Sequence, residues 1–158
     1  MFEVLAFVYD NYIDSHACPE LPALHRTLST LGFAPREVEL ALLWLSDLKN
    51  AAGHLPDRAP SGVPPAPGAA AMRVLTRTEQ AKLGVAGWGL LAFLTSAGAL
   101  PGEELELVLE RVLAAPAGPI SVADLKLLVL MVFWSLAREP DALILDELCD
   151  NPTDRLAH

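Results

Sequence analysis

Cysteine is scarce in this sequence of 158 residues, which contains two, Cys18 and Cys149. They lie far apart and form no CxxC unit, which excludes a disulfide framework and the paired spacings of a zinc ribbon. His16 and His25 are near Cys18 in sequence, but the second pair of ligands that a zinc site needs is missing. We therefore predict no metal site, and reduced thiols in a cytoplasmic protein.

Basic residues are also few, since Lys and Arg number 11 against 20 acidic residues and the formal net charge is −9. A surface of that charge repels phosphate backbones and anionic lipids unless a local basic patch overrides it. The locally basic region contains Arg73, Arg77 and Lys82. A DNA-metabolism accessory protein that contacts nucleic acid directly through these residues is our alternative hypothesis.

The motifs of nucleotide binding and hydrolysis are missing, since no GxxxxGK[ST], GxGxxG, GxSxG or HExxH occurs. Cys18 as a nucleophile would need a base and an orienting group, and only His16 is near it in sequence. Glu103, Glu106 and Glu110 recur on the outward side of an amphipathic segment, which is typical of a solvated helix face. We predict no catalytic residue and no cofactor, and keep an enzyme that uses Cys18 or this acidic group as a third hypothesis.

Apolar runs are too short to cross a membrane, because a spanning helix needs about 20 mostly apolar residues. Residues 127–134 are apolar without a break, and residues 83–101 lack charge but contain glycines. Gly84 and Gly87 indicate a kink or close helix packing better than phosphate binding. The N-terminus lacks the basic start of a signal peptide. We therefore expect no membrane partner.

Apolar residues recur at helical spacing through most of the chain, and 53% of all residues are hydrophobic. This pattern predicts an all-α fold. We expect a compact bundle of six to seven helices around a nearly all-apolar central helix at residues 122–138. Two short pieces, residues 72–75 and 119–121, could in addition pair as a small two-stranded ribbon.

Composition divides the predicted bundle into parts. We expect an N-terminal three-helix lobe at residues 1–49 and a C-terminal helical lobe at residues 72–158. Residues 50–71 contain five prolines, three glycines and no apolar periodicity, which is typical of a linker. In the third helix of the first lobe, Leu40, Leu43 and Trp44 are predicted to widen the inward apolar face.

Helix ends are also marked in the sequence. Thr76 and Glu79 have the spacing of a capping box, and Ser121 and Asp124 repeat that pattern before the central helix. Gly32 supplies the left-handed residue that ends the second helix.

Segments along nearly the whole chain resemble the bacterial Smg protein family. They are MFEVLAFVYDNYI, LSTLGFAPREVELALLWLSDL, MRVLTRTEQAKL, VLERVLA and DLKLLVLMVF. The resemblance implies a small cytosolic protein without an agreed activity, and the neighbouring genes of that family imply a link to DNA metabolism. The family motif maps onto Glu110, Arg111, Asp124 and Lys126, which we expect to cap helices and tie the two lobes together. Leu127 stands where the family pattern often has Trp.

Large aromatic residues exceed what a small helical core obviously needs. They are Phe7, Tyr12, Trp44, Trp88 and Trp134. Since Trp and Tyr are typical interface anchors, our leading hypothesis is a non-catalytic adaptor that binds an unidentified protein partner through an apolar helical surface. Ordinary core packing is the alternative for each of these residues, and a homodimer built on the central helix stays open.

Overall fold

The computed structural model describes residues 1–15, 19–55 and 73–149, and this part of the chain contains seven α-helices and no strand. A bundle of six to seven helices is therefore confirmed. The helices are α1 (Phe2–Tyr12), α2 (Leu21–Thr30), α3 (Pro35–Gly53), α4 (Arg77–Ser96), α5 (Gly102–Ala114), α6 (Val122–Ser135) and α7 (Ala142–Cys149). A 3-10 turn at Ile13–Ser15 extends α1.

The predicted central helix is α6, which contacts α1, α3, α4, α5 and α7. Residues 128–133 are buried without interruption, because neighbouring helices surround this part of α6. Gly87 allows α4 to approach α6 closely, since a β-carbon at that position would lie 3.2 Å from Cδ2 of Leu125. No helix in the described ranges is long and apolar enough to cross a membrane.

The central helix ends at Ser135, three residues before the predicted boundary. Ala137 has a left-handed backbone with φ of 52°, and the N–H of Arg138 donates to the carbonyl of Phe133 at 2.9 Å. These are the two elements of a Schellman turn, usually built on glycine. Because alanine occupies the left-handed position here, the sequence carried no marker for this helix end.

In the N-terminal helices the predicted cap after α2 is present, but the predicted inward face of α3 is only partly correct. Gly32 has φ of 89°, and the next N–H, of Phe33, donates to the carbonyl of Leu28 at 3.4 Å, which confirms the cap after α2. The prediction that Leu40 and Leu43 face inward is wrong, since they are 40% and 62% exposed. The face that α3 buries contains positions 38, 41, 42, 44, 45 and 48, so the inward prediction is confirmed for Trp44. Helical periodicity turns the two leucines away from this face.

The capping box at Thr76 and Glu79 is confirmed, because each residue's side chain accepts a hydrogen bond from the other's backbone N–H. Further along α4, Gly84 departs from helical geometry with φ of 66° and ψ of 178°. The carbonyl of Lys82, just before this break, accepts a hydrogen bond from the N–H of Ile120 at 2.8 Å. The ribbon between residues 72–75 and 119–121 is therefore not formed by the described residues, since Ile120 bonds to a helix instead.

The predicted linker at residues 50–71 lies mostly outside the described residues, although α3 continues as far as Gly53. Cys18 and His16 also lie outside the described ranges. Helices from the two predicted lobes contact each other directly, α1 with α6 and α3 with both α5 and α6. The division into lobes stays a prediction.

A candidate protein-binding groove

An open groove with a volume of about 470 Å³ lies where α1, α6 and α7 meet. Its apolar lining comes from all three helices, because each presents part of its inward stripe there. The apolar residues are Phe2, Ala6, Ala123, Leu127, Leu130 and Leu148. Leu130 and Leu148 are buried, whereas Phe2 and Leu127 are half-buried and still accessible. The groove therefore offers an apolar floor to a ligand.

Charged groups line the same groove. Within the described residues, no hydrogen bond or ion pair reaches the side chains of Glu3, Asp10 and Asp124. Lys126 is buried, and its ammonium donates to the carbonyl of Glu147 at 2.6 Å and lies 3.4 Å from the carboxylate of that residue. Because this contact places a cation at the C-terminal turn of α7, Lys126 stabilises the helix end and is engaged within the chain.

Two ionisable groups in the groove have raised pKa values. Burial, followed by the Cys149 thiolate that forms at high pH and by the Asp10 carboxylate, raises the pKa of Tyr9 to about 12. Although Cys149 is an exposed residue, partial desolvation of its thiol, followed by the charges of Asp146 and Asp10, raises the pKa of that thiol. A thiol in this environment is protonated near neutral pH and is a poor nucleophile. Cys149 is therefore a poor candidate for a catalytic nucleophile.

The five predicted aromatic anchors do not line the groove. Trp44 is buried at 3% exposure, and its indole N–H donates to the carbonyl of Arg111 at 3.0 Å, so it joins α3 to α5 as a core residue. Phe7 packs against Phe33 with ring centroids 5.7 Å apart. The other three are half-buried against the core: Tyr12, Trp88 and Trp134.

Two of the three predicted nucleic-acid contacts are occupied by intramolecular interactions. The Arg73 guanidinium donates to both carboxylate oxygens of Glu79 at 2.9 Å and also pairs with Glu106. The Lys82 ammonium donates to the carbonyls of Ala115, at 3.1 Å, and Pro116. Arg77, at the start of α4, is exposed.

The family motif residues occupy two helices. Arg111 is buried in α5, 3.0 Å from the carboxylate of Glu110 and 3.9 Å from that of Asp47, so it lies between α5 and α3. Asp124 lies in the first turn of α6, where its backbone N–H donates to the Ser121 hydroxyl at 3.1 Å. With Lys126 it belongs to the groove, so the motif contributes to both an interior contact and an open surface.

A second depression of about 450 Å³ lies beside the turn between α6 and α7, next to the exposed side chains of Phe93 and Leu143. Its cation, Arg138, pairs with Glu104 and lies 5.9 Å from the ring centroid of Phe133. Across residues 1–15, 19–55 and 73–149 there is no group of three or more His, Cys, Asp or Glu that could hold a metal ion.

The described residues define a small all-helical fold with an open groove between α1, α6 and α7. The whole chain, residues 1–158, matches the family described as "Protein of unknown function (DUF494)". It is 49% identical to a protein named "Protein Smg homolog" from Methylibium petroleiphilum, 43% to one from Leptothrix cholodnii and 38% to one from Bordetella petrii, each over 100% of both chains. The chain therefore belongs to this family, and the resemblance to Smg proteins is confirmed. No solved structure matches it.

Proposed function

We propose that this protein is a cytoplasmic, non-catalytic adaptor that binds another protein in the groove between α1, α6 and α7. The observation that carries the proposal is the combination of an apolar floor with the carboxylates of Glu3, Asp10 and Asp124, which no described residue pairs. A binding site of this kind is concave, apolar and marked by a few polar groups. The raised pKa of Cys149 further favours binding over catalysis.

The alternative, direct contact with nucleic acid, depends on Arg73, Arg77 and Lys82. The ion pairs of Arg73 and the carbonyl contacts of Lys82 leave Arg77 as the one of the three that is exposed. Since affinity for phosphate backbones rises with the number of cations that reach them, this arrangement supports the adaptor proposal instead.

Photo-crosslinking tests the groove in living cells. A photoreactive amino acid replaces Ala123, an exposed groove residue in the first turn of α6. The matched control replaces Ala23, also exposed in a first turn but on α2, away from the groove. We expect a discrete crosslinked protein from position 123 that survives nuclease treatment and is missing from position 23.

Two results would contradict the adaptor proposal. The same crosslinks from both positions would indicate random collisions, and no protein crosslink at position 123 would indicate an unoccupied groove. Crosslinks to nucleic acid, removed by nuclease, would favour the alternative function. The substitution Ala123→Arg, which fills the groove with a long side chain, should also remove the partner during affinity capture, whereas Ala23→Arg should not.

A further inference from the structure

The ionised groups that line the groove and have no partner among the described residues are all acidic. Its carboxylates Glu3, Asp10 and Asp124 have no partner among the described residues, while the one lining cation, Lys126, is engaged by Glu147. A cleft lined by charges of one sign concentrates ions of the other sign and excludes its own. The net charge of −9 adds to this field at longer range. A ligand of this groove should therefore be cationic.

The floor of the groove adds an apolar requirement. Phe2 and Leu127 remain half-exposed there, beside the buried Leu130 and Leu148. Burying such surface against a ligand is favourable by about 25 cal/mol for each Å² removed from water. A purely polar cation would leave the apolar floor exposed to water. The ligand should therefore present large apolar side chains together with its positive charge.

The backbone of the walls indicates how such a ligand is folded. The groove is built from helices, and the described part of the chain contains no strand whose edge an extended segment could join. An extended segment would lose its own backbone hydrogen bonds to water in an apolar groove and gain none in return. A helix satisfies these bonds internally, and docking an amphipathic helix in an apolar groove is a common mode of recognition.

We infer that the groove binds a basic amphipathic helix of a partner protein, with Asp10 and Asp124 contacting its Lys or Arg residues and Leu127 and Leu130 contacting its apolar face. This inference rests on the proposed function and specifies the partner that the groove selects.

Synthetic peptides test this partner class directly. The first probe is a fluorescent helical peptide of about 16 residues with Leu at positions i, i+3, i+4 and i+7 and Lys on the flanks. The second replaces Lys by Glu, and the third scrambles the first so that the Leu residues share no face. We expect the Leu/Lys helix to bind at least about tenfold more tightly than either of the others in fluorescence anisotropy, and to weaken as salt rises.

Paired variants locate the binding. The double substitution Asp10→Asn and Asp124→Asn should weaken the Leu/Lys probe about tenfold and flatten its salt dependence. The control Glu39→Gln and Glu103→Gln removes the same two charges from exposed positions on α3 and α5 and should change affinity less than about twofold. Ala123→Arg should abolish binding, and circular dichroism verifies that each variant is folded.

If the groove and control variants lose the same affinity for the Leu/Lys probe, net charge alone attracts the peptide, and the inference is overturned. No binding of the Leu/Lys probe, or equal binding of all three probes, would overturn it as well. A probe that is weakened by Ala123→Arg but not by the Asn variants would overturn only the charge selection, leaving an apolar groove and the adaptor function intact. Failure of the adaptor function itself appears separately, as the lack of a position-specific crosslink in cells.

Discussion

The face where α4 meets α5 and the groove between α1, α6 and α7 use charged residues in opposite ways. On the first face the charges satisfy one another, since Arg73 bonds to Glu79 and Glu106, and Lys82 bonds to backbone carbonyls. In the groove, the carboxylates of Asp10 and Asp124 have no partner among the described residues. Both regions contain several ionisable groups, so the number of charges does not distinguish them.

The difference separates a structural role from a binding role. A buried ion pair that makes all its hydrogen bonds fixes how two elements pack, and removing one partner is strongly destabilising. Exposed carboxylates without partners add little to stability and remain available to a ligand. We therefore call the Arg73, Glu79 and Glu106 group the polar clamp, and expect substitutions in it to change folding, whereas substitutions in the groove change binding.

Replacing Arg73 should have the largest effect on stability. Arg73→Met leaves Glu79, which is 5% exposed, buried without its guanidinium. Since Arg73 is itself one quarter exposed, water compensates part of the loss, and we expect the free energy of unfolding to fall by about 2–3 kcal/mol. Urea denaturation measures this change. Arg77→Met, an exposed cation nearby, should change stability by less than about 0.5 kcal/mol, and an equal effect of the two would contradict a role for the polar clamp.

The ionised Glu79 carboxylate of the polar clamp should also make the free energy of unfolding depend on pH. The hydrogen bond from Arg73 is the main cause that lowers the pKa of Glu79 from 4.5 to about 2. A carboxyl with a lowered pKa in the folded state contributes stability above its unfolded pKa, and this contribution is lost as pH falls from about 4.5 to 2. Glu79→Gln should therefore be less stable than the wild type at pH 7, and the gap should narrow by roughly 2–3 kcal/mol towards pH 2.

Measurements for this second prediction are urea unfolding curves at several pH values for both proteins. The control Glu103→Gln removes an exposed carboxylate, so its difference from the wild type should stay nearly constant over that range. A gap between wild type and Glu79→Gln that does not depend on pH would show that the carboxyl is not held ionised by Arg73.

A substitution at Gly84, where α4 departs from helical geometry, should reduce stability less than the substitutions in the polar clamp do. The Gly84 backbone, at φ of 66° and ψ of 178°, lies in a region essentially restricted to glycine, so Gly84→Ala should destabilise the fold by roughly 1–2 kcal/mol. Gly89→Ala is the matched control, because that glycine has a helical backbone and open space around it, and alanine there should stabilise by up to about 1 kcal/mol. Thermal unfolding compares the two, and shifts of the same sign would refute a special conformation at Gly84.

The polar clamp and the groove also differ in how far the sequence predicts them. The capping box at Thr76 and Glu79 depends on residues three apart, so local sequence was sufficient to predict it. The bonds that join this capping box to Arg73 and Glu106 form only if α5 lies beside α4. No residue spacing in the sequence indicates that packing. The apolar run of α6 predicted a central helix because such a run can be buried only among neighbours.

The groove escaped prediction because it depends on three helices that are far apart in sequence. Asp10 fits the ordinary pattern of a solvated helix face and Asp124 fits that of a helix cap, and only packing brings the two residues to one surface. Of the five predicted aromatic anchors, none lines the groove, and Trp44 is a core residue. The one available indication was Leu127, at a position where the family pattern often has Trp, and Leu127 does line the groove.

The smallest predicted change in the free energy of unfolding comes from a substitution in the groove. It is a gain in stability, whereas substitutions in the polar clamp are expected to cause a loss. Asp10 lies in the last turn of α1, where its negative charge opposes the helix dipole and no basic residue compensates it. Asp10→Asn should therefore raise the free energy of unfolding by a few tenths of a kcal/mol. Replicated urea curves measure this, with Glu39→Gln as the control expected to show no change. A loss of stability above about 0.5 kcal/mol would place Asp10 in a structural network like that of Glu79 and remove the contrast between the two regions. A gain in stability together with weaker binding of the Leu/Lys helix would show that this carboxylate serves recognition rather than folding.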